Sequence, residues 1–313
     1  MDYITLGRTG LKASVAGLGC GGPSRLGLRD NKSEKECAAL VRQAFDLGVN
    51  FLDTAEVYGT EEIVGQALAA LPREQVIIST KMKFPPDDKR DPPGEVRKSL
   101  ERSLKSLGTD YVDIYHVHGV EPGEYEFAAT EILPALLRLR EEGKVRFIGV
   151  TEAFVDDMSH RMLEQAVEDG HWDVVMVGFN LLNQSARQRV FARTLEAGAG
   201  TLVMFAVRKA LSRPERLGEV WDELKKKGLL NLGGRASKEP LGFLLGDGKA
   251  SSIVDAAYRF CRHEPGAHVV LTGTGSADHL KQNIESLNKP PLPAPAVARL
   301  KEIFAQVDCV TGN

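Results

Sequence analysis

Residues 49–80 read VNFLDTAEVYGTEEIVGQALAALPREQVIIST, and this stretch contains the repeat from which the whole chain is built. Short apolar runs at 49–52 and 75–80 enclose a segment with helical spacing at 61–71. Runs of this kind that alternate with helical segments are typical of βα units around a parallel sheet. The stretch therefore predicts a strand, a helix and a second strand, with polar residues following each strand.

The same alternation continues in both directions along the chain. Further strands are predicted at 14–18, 111–117, 147–150, 173–177, 200–205 and 268–271. Helices are predicted from Ser33 to Gly48, where Ser33 and Glu36 form a capping box, and at 92–107, 132–142 and 156–168. Eight such units predict a closed α/β barrel of the (β/α)8 type, the TIM barrel. A short hairpin over residues 3–10 is predicted to precede the first strand.

Two segments depart from the regular repeat. The connection over residues 207–261, after the seventh strand, is unusually long. A long segment at this place in a barrel is typically a functional excursion over the carboxyl face of the sheet. Residues 290–295 are rich in proline and precede a predicted helix that extends to Val307. We expect this last helix to pack outside the barrel.

The bulk composition narrows the classes of function. The chain has 313 residues, 42% of them hydrophobic, with a formal net charge of -3. That charge argues against a general binder of nucleic acids, which normally carries a basic face. The first ten residues lack the build of a signal peptide, and the apolar runs are too short to span a bilayer. Four scattered cysteines predict neither disulfides nor a metal site, so we expect a cytoplasmic protein.

Chemistry in a barrel lies at the carboxyl ends of the strands, and four polar side chains are predicted to meet there. Asp53 and Tyr58 follow the second strand, Lys81 ends the third and His118 ends the fourth. A tyrosine, with a pKa of about 10, is a weak acid unless its phenolate is stabilised. Lys81 would lower that pKa, and Asp53 would keep the lysine charged. His118 could donate to a carbonyl oxygen, so the set suits protonation of an alkoxide as hydride arrives.

The motifs that carry these residues resemble the signature tetrad of the aldo-keto reductases. They are DTAEVYG at 53–59, STK at 79–81 and IYHVH at 114–118, and the resemblance extends from LGRTGL at 6–11 to VVLTGTGSADHLKQN at 269–283. It implies one barrel domain over 1–313, with Tyr58 as general acid and base and with Asp53, Lys81 and His118 as its partners. It also implies a monomer acting on a small-molecule carbonyl or alcohol. His116 is expected only to fill space or to hydrogen-bond.

The resemblance further implies an extended nicotinamide cofactor, bound without a GxGxxG loop. We expect NADPH on the habit of the family, with NADH not excluded. The expected cofactor contacts are Gly22, Thr151, Phe205, Arg208, Gly273, Thr274, Gly275, Ser276, His279, Gln282 and Asn283. Residues 273–276 precede a helix, where free backbone N–H groups favour anions. Arg208 and Lys209 could supply positive charge to the pyrophosphate.

Several of these positions depart from the family pattern. Thr151 and Glu152 stand where the family commonly has a Ser-Asn pair that holds the carboxamide, and Met176 stands in place of a Gln. Gly275 and His279 occupy places where a basic contact to the 2′-phosphate is common. The departures leave the choice between NADPH and NADH open.

Two alternatives to carbonyl reduction remain open from the sequence. Lys81 could act as the Schiff-base lysine of an aldolase if it were desolvated and neutral, although the adjacent Asp53 opposes this by favouring the ammonium. The chain could also be a sensor or regulatory protein that binds the cofactor without reducing a carbonyl. The altered carboxamide contacts keep that second alternative open.

Overall fold

Eight parallel strands close into a barrel in the computed structural model, which describes residues 1–233, 240–246 and 248–313. The barrel order is β10-β3-β4-β5-β6-β7-β8-β9, and β1 and β2 form a separate antiparallel hairpin. The strands are β1 Tyr3–Thr5, β2 Lys12–Ser14, β3 Ala16–Gly19, β4 Phe51–Asp53, β5 Ile77–Met82, β6 Val112–Val120, β7 Val145–Glu152, β8 Val174–Gly178, β9 Gly200–Met204 and β10 Val269–Thr272. The predicted (β/α)8 barrel and its amino-terminal hairpin are confirmed.

Helices surround the barrel in the positions that the repeat predicts. They are α1 Glu34–Asp46, α2 Glu61–Leu68, α3 Pro92–Leu107, α4 Tyr125–Phe127, α5 Leu133–Glu141, α6 Arg161–Asp169, α7 Ala192–Ala197, α8 Lys209–Ser212, α9 Pro214–Lys226, α10 Ile253–Arg262, α11 Ala277–Asn288 and α12 Ala294–Ile303. The predicted capping box is confirmed at α1, because Ser33 and Glu36 each accept the other's backbone N–H. The predicted terminal helix is α12.

Three helix boundaries differ clearly from the prediction. The helix predicted over 61–71 ends at Leu68, and the terminal helix predicted to extend to Val307 ends at Ile303. The largest difference is at the start of α6. The helix expected from residue 156 begins only at Arg161. The Asp157 carboxylate accepts the backbone N–H of Met162 at 2.8 Å, and His160 has a left-handed φ of 63°. The chain therefore turns before it enters α6, and this turn depends on side-chain contacts that apolar periodicity does not contain.

The long connection after β9 is largely helical. It carries α8, α9 and α10, and α9 buries an apolar stripe of Leu217, Val220, Trp221 and Leu224 against the core. Pro214 begins α9, a first-turn position that needs no backbone N–H donor. The predicted excursion includes residues 234–239 and 247, which lie outside the described residues.

The amino end of the barrel interior is apolar and closed. The hairpin residues Leu6, Leu11 and Ala13 pack with Phe51 and Val174, which lie at the amino ends of their strands. Gly200 gives Leu6 room there, since a Cβ on Gly200 would lie 2.8 Å from the leucine Cγ. With the amino end filled in this way, the carboxyl ends of the strands form the open face of the barrel.

Two structural findings bear on the wider class of protein. Within residues 1–233, 240–246 and 248–313, no helix combines the length and the apolar character that a bilayer crossing requires. The same residues contain no group of three His, Cys, Asp or Glu side chains placed to hold a metal ion.

Candidate active site

The predicted tetrad begins with a buried ion pair between neighbouring strands. Lys81 Nζ lies 2.8 Å from Asp53 Oδ2 and donates a second hydrogen bond to the carbonyl oxygen of Thr54 at 2.6 Å. The lysine side chain is fully buried, and the aspartate side chain is 4% exposed. An ion pair with so little access to water loses little of its interaction to solvent screening.

Tyr58 lies beside this pair in a short turn that follows β4. Its hydroxyl is 3.2 Å from His118 Nε2, and the two rings meet edge to face with centroids 5.4 Å apart. Lys81 Nζ is 4.9 Å from the centroid of the tyrosine ring. The structure thus brings together all four residues of the predicted tetrad.

The protonation states suit a proton donor. Burial, aided by the charge of Lys81, lowers the pKa of His118 to about 3, so its imidazole is neutral at physiological pH. Burial also raises the pKa of Tyr58 above its usual value of 10, although Lys81 acts to lower it. Lys81 thus acts on the pKa of Tyr58 in the direction that the sequence predicts, but desolvation of the phenolate, which the sequence does not reveal, outweighs the nearby ammonium. Tyr58 is held in its protonated form.

Lys81 is held as an ammonium. Burial alone would lower the pKa of Lys81, but Asp53 and Tyr58 together outweigh burial, with Asp53 the larger contributor, and the pKa is raised. A Schiff-base lysine must be a neutral amine when it attacks. The charge state of Lys81 therefore opposes the aldolase alternative.

A groove of about 730 Å³ extends from Asp53 and Tyr58 across the open face of the barrel. Its volume is in the range typical of ligand pockets. Of the predicted cofactor contacts, eight border it, namely Gly22, Phe205, Arg208, Gly273, Thr274, His279, Gln282 and Asn283. Sequence reasoning missed Arg213, Asp255 and Asn313, which reach the groove from the long connection and the end of the chain.

The other three predicted contacts do not border this groove. Thr151 is buried, and its hydroxyl accepts the backbone N–H of Gly119 at 2.7 Å. Ser276 caps α11 through the backbone N–H of His279. Gly275 is pressed against the chain at Gly27, because a Cβ on Gly275 would lie 2.6 Å from the Gly27 Cα.

Glu152 points into the protein rather than toward a cofactor. Its carboxylate is fully buried, lies 2.9 Å from His160 Nδ1 and accepts the backbone N–H of Gly178 at 2.7 Å. Met176, in contrast, does border the groove. Glu152, at the end of its strand, therefore makes hydrogen bonds within the protein.

The groove has the chemistry that a nicotinamide dinucleotide requires. Arg208, Lys209 and Arg213 border it and can meet a pyrophosphate, while Phe205 offers an aromatic ring. The Arg208 guanidinium lies 4.3 Å from the centroid of the Phe205 ring, which places cation and aromatic surface side by side. The residues present therefore fit such a cofactor.

A protonated tyrosine beside a buried ion pair, in a groove bordered by basic side chains, fits an oxidoreductase built on an α/β barrel. The chain belongs to the aldo/keto reductase family, whose sequence model matches residues 17–305. It is 31% identical to L-galactose dehydrogenase of Arabidopsis thaliana over 299 residues, which are 92% of this chain and 89% of that protein. It is also 31% identical to the NADH-specific methylglyoxal reductase of Escherichia coli (strain K12) over 206 residues, 59% of this chain and 61% of that protein.

Solved structures agree on the fold. The holo form of the aldo-keto reductase AKR11C1 from Bacillus halodurans superposes with a TM-score of 0.73 at 21% identity, covering 99% of this chain and 98% of that one. As a member of this family, the protein is an NAD(P)H-dependent oxidoreductase that reduces aldehydes or ketones to alcohols.

A small residue at position 21 is a condition for the placement of Tyr58. A Cβ on Gly21 would lie 2.5 Å from the tyrosine ring, so we expect Gly21→Ala to displace the ring. A misplacement of ~1 Å at a reacting group can cost about 100-fold in rate, so kcat should fall by about that factor. Gly123→Ala is the matched control, because a Cβ there meets nothing within 4 Å. Steady-state kinetics with a thermal melt of each variant tests this, and equal kcat values for the two variants would contradict it.

Proposed function

We propose that Tyr58 delivers the proton in carbonyl reduction and that Asp53, Lys81 and His118 prepare it for this step. The observation that carries the proposal is the 3.2 Å contact between Tyr58 Oη and His118 Nε2 beside the buried Lys81–Asp53 pair. A carbonyl oxygen placed between these two side chains would meet a phenol and an imidazole, both able to donate a hydrogen bond.

The bound dinucleotide would supply the hydride that reaches the carbonyl carbon. The chain's own residues handle the charge that develops on the oxygen. Tyr58 transfers its hydroxyl proton to that oxygen, and the neutral His118 holds the oxygen in place. The phenolate left on Tyr58 is stabilised by the Lys81 ammonium, which Asp53 keeps charged and oriented. Preorganised charge of this kind is usually the largest single contribution to transition-state stabilisation.

Arg208, Lys209 and Arg213 are proposed to bind the pyrophosphate, and Phe205 to lie against the nicotinamide. The family resemblance favours NADPH, which stays a prediction. Two observations favour NADH as a second candidate. Asp255 and Glu285 border the groove, where a 2′-phosphate would meet like charge, and Lys289 Nζ is already 3.2 Å from Asp255. One of the relatives is, by name, specific for NADH.

The substrate is proposed to be a small polar aldehyde or ketone. The names of two relatives point to a sugar and to methylglyoxal, and both compounds are suitable first probes. We further propose that residues 1–313 act as one domain, as a monomer and in the cytoplasm, as expected from the sequence.

Titration of the purified protein with NADH and with NADPH, followed by intrinsic fluorescence, tests the proposal. We expect saturable binding of at least one dinucleotide, and the tighter of the two identifies the preferred cofactor. Absence of binding by both would contradict hydride transfer and would favour an aldolase, which borohydride trapping of a carbonyl compound on Lys81 would reveal. Binding without turnover of any carbonyl in a broad panel would instead favour the sensor.

A further inference from the structure

Two buried polar residues adjoin the tetrad without belonging to it. Ser79 on β5 lies opposite Asp53 in the strand register, and His116 on β6 lies opposite Lys81. Ser79 Oγ is 2.8 Å from Asp53 Oδ1 and 3.1 Å from His116 Nε2. Both side chains are fully buried. A continuous chain of hydrogen bonds therefore runs from His116 through Ser79 to the Asp53 carboxylate.

The number of protons available fixes the direction of this chain. An ionised carboxylate can only accept hydrogen bonds, so the single hydroxyl proton of Ser79 goes to Asp53 Oδ1. Ser79 Oγ then accepts from His116, which must carry its proton on Nε2. Burial, with a smaller contribution from Lys81, lowers the pKa of His116 well below its usual value, so the ring is neutral and has one N–H. Its other nitrogen, Nδ1, accordingly finds no hydrogen-bond partner among the described residues.

The barrel wall is shaped to hold this imidazole. Gly149 on β7 faces it, and a Cβ at that position would lie 2.3 Å from His116 Nδ1. Any larger residue at 149 would displace the ring and break its contact with Ser79. The missing side chain of Gly149 thus leaves the space that the His116 ring occupies.

Asp53 needs both of its hydrogen-bond donors because it is buried. Its Oδ2 is bound by Lys81 and its Oδ1 by Ser79. Burial raises the pKa of Asp53, and Lys81 and Ser79 oppose that rise. Five titratable side chains surround the carboxylate. They are Lys81 on β5, Tyr58 in the turn that follows β4, Cys20 after β3, and His116 and His118 on β6.

We propose that Ser79 and His116 are positioning residues of the tetrad, forming a relay that holds the Asp53 carboxylate ionised and aimed at Lys81. This inference rests on the proposed function, in which Lys81 must stay charged beside Tyr58. It gives a specific role to His116, which the sequence predicted only to fill space or to hydrogen-bond.

The tautomer of His116 tests the relay without any turnover. Long-range proton–nitrogen NMR spectra of histidine-labelled protein would be compared with spectra of His116→Gln, which identifies the signal of this residue among the seven histidines. We expect a neutral ring with its proton on Nε2, unchanged through physiological pH. A proton on Nδ1 would overturn the proposal, since Ser79 would then have to donate to the histidine and leave Asp53 Oδ1 without a donor.

A matched pair of substitutions tests the positioning role. His116→Gln keeps an N–H donor near the position of Nε2, whereas His116→Leu removes it at similar size; Ser79→Thr and Ser79→Ala form the second pair. Ser79→Ala removes a hydrogen bond to a charged group, which should raise the pKa of Asp53, so the acid limb of the pH profile of kcat should move up by about one pH unit. His116→Leu leaves the Ser79 hydroxyl donating to Asp53 but removes the group that orients it, so the same limb should move up by a smaller amount. The conservative variants should keep most of the wild-type profile.

The possible results distinguish a failure of the relay from a failure of the proposed function. Identical pH profiles in all four variants, whatever their melting temperatures, would show that Ser79 and His116 only fill space, and would overturn the relay. A wild-type protein that reduces no carbonyl would contradict the proposed function, and the tautomer of His116 would still decide the relay by itself.

Discussion

Replacing Tyr58 with phenylalanine is expected to lower kcat by about 10²- to 10⁴-fold, the contribution typical of a positioned general acid. The substitution removes the hydroxyl that contacts His118 and keeps the ring that packs against Gly21. Only proton delivery is lost, so the affinity for the dinucleotide should stay close to that of the wild type. Steady-state kinetics with a small aldehyde, together with a fluorescence titration of the cofactor, measures both quantities.

Tyr3→Phe is a suitable control for this experiment. Tyr3 is 53% exposed, and its hydroxyl donates to the carbonyl oxygen of Gly48, in the hairpin at the closed end of the barrel. Its loss should leave kcat unchanged. Wild-type turnover by Tyr58→Phe would show that the proton comes from another group, and His118 would become the first candidate.

Replacing Lys81 with methionine is expected to cost both activity and stability. Removing one partner of a buried ion pair typically destabilises a protein by about 3–5 kcal/mol, because the remaining charge is buried without compensation. Here that charge is Asp53, whose side chain is 4% exposed. The phenolate of Tyr58 would also lose its stabilising cation, so kcat should fall by several orders of magnitude. Denaturant unfolding and steady-state kinetics measure the two losses.

The loss of stability in Lys81→Met should depend on pH. Burial without Lys81 raises the pKa of Asp53 in the folded protein above its unfolded value of about 3.9. Below that value the carboxyl group is protonated in both states, and there is no penalty from its charge. As the pH rises above it, the unfolded state ionises while the folded state resists, so the penalty grows toward neutral pH.

Lys98→Met provides the matched control for this charge removal. Lys98 pairs with Glu95 at 2.9 Å on the surface of α3, and its side chain is 60% exposed. Exposed pairs are worth only about 0–1 kcal/mol, so this variant should unfold almost as the wild type does. Equal destabilisation by the two substitutions would contradict the assignment of Lys81 to a buried pair that the site depends on.

The barrel and the positions of the tetrad residues could be predicted from the sequence, because both follow from the order of the strands. Parallel strands end at the same edge of a sheet, so Asp53, Lys81 and His118 could be placed together once their strands were recognised. The strand register in the structure agrees with this placement, because Asp53 on β4 lies opposite Ser79 on β5, and Lys81 on β5 lies opposite His116 on β6.

Features that depend on tertiary contacts could not be read in this way. The direction of the Tyr58 pKa depends on the balance between burial and the Lys81 charge, and burial is not visible in the sequence. The turn before α6, which brings His160 to the Glu152 carboxylate, depends on a left-handed residue that is not glycine. The predicted cofactor contact Arg208 is held by Asn313, at 2.7 Å and 105 residues away, which no local pattern could indicate.

The most direct test of the central claim is transfer of deuterium from dinucleotide to substrate. The protein would be incubated with NADH or NADPH deuterated at both C4 positions and with a small aldehyde such as methylglyoxal, and the alcohol product analysed by mass spectrometry. The account predicts one deuterium in the product for the wild type and almost no product for Tyr58→Phe. Bound dinucleotide that transfers no deuterium to any carbonyl in a broad panel would contradict the account.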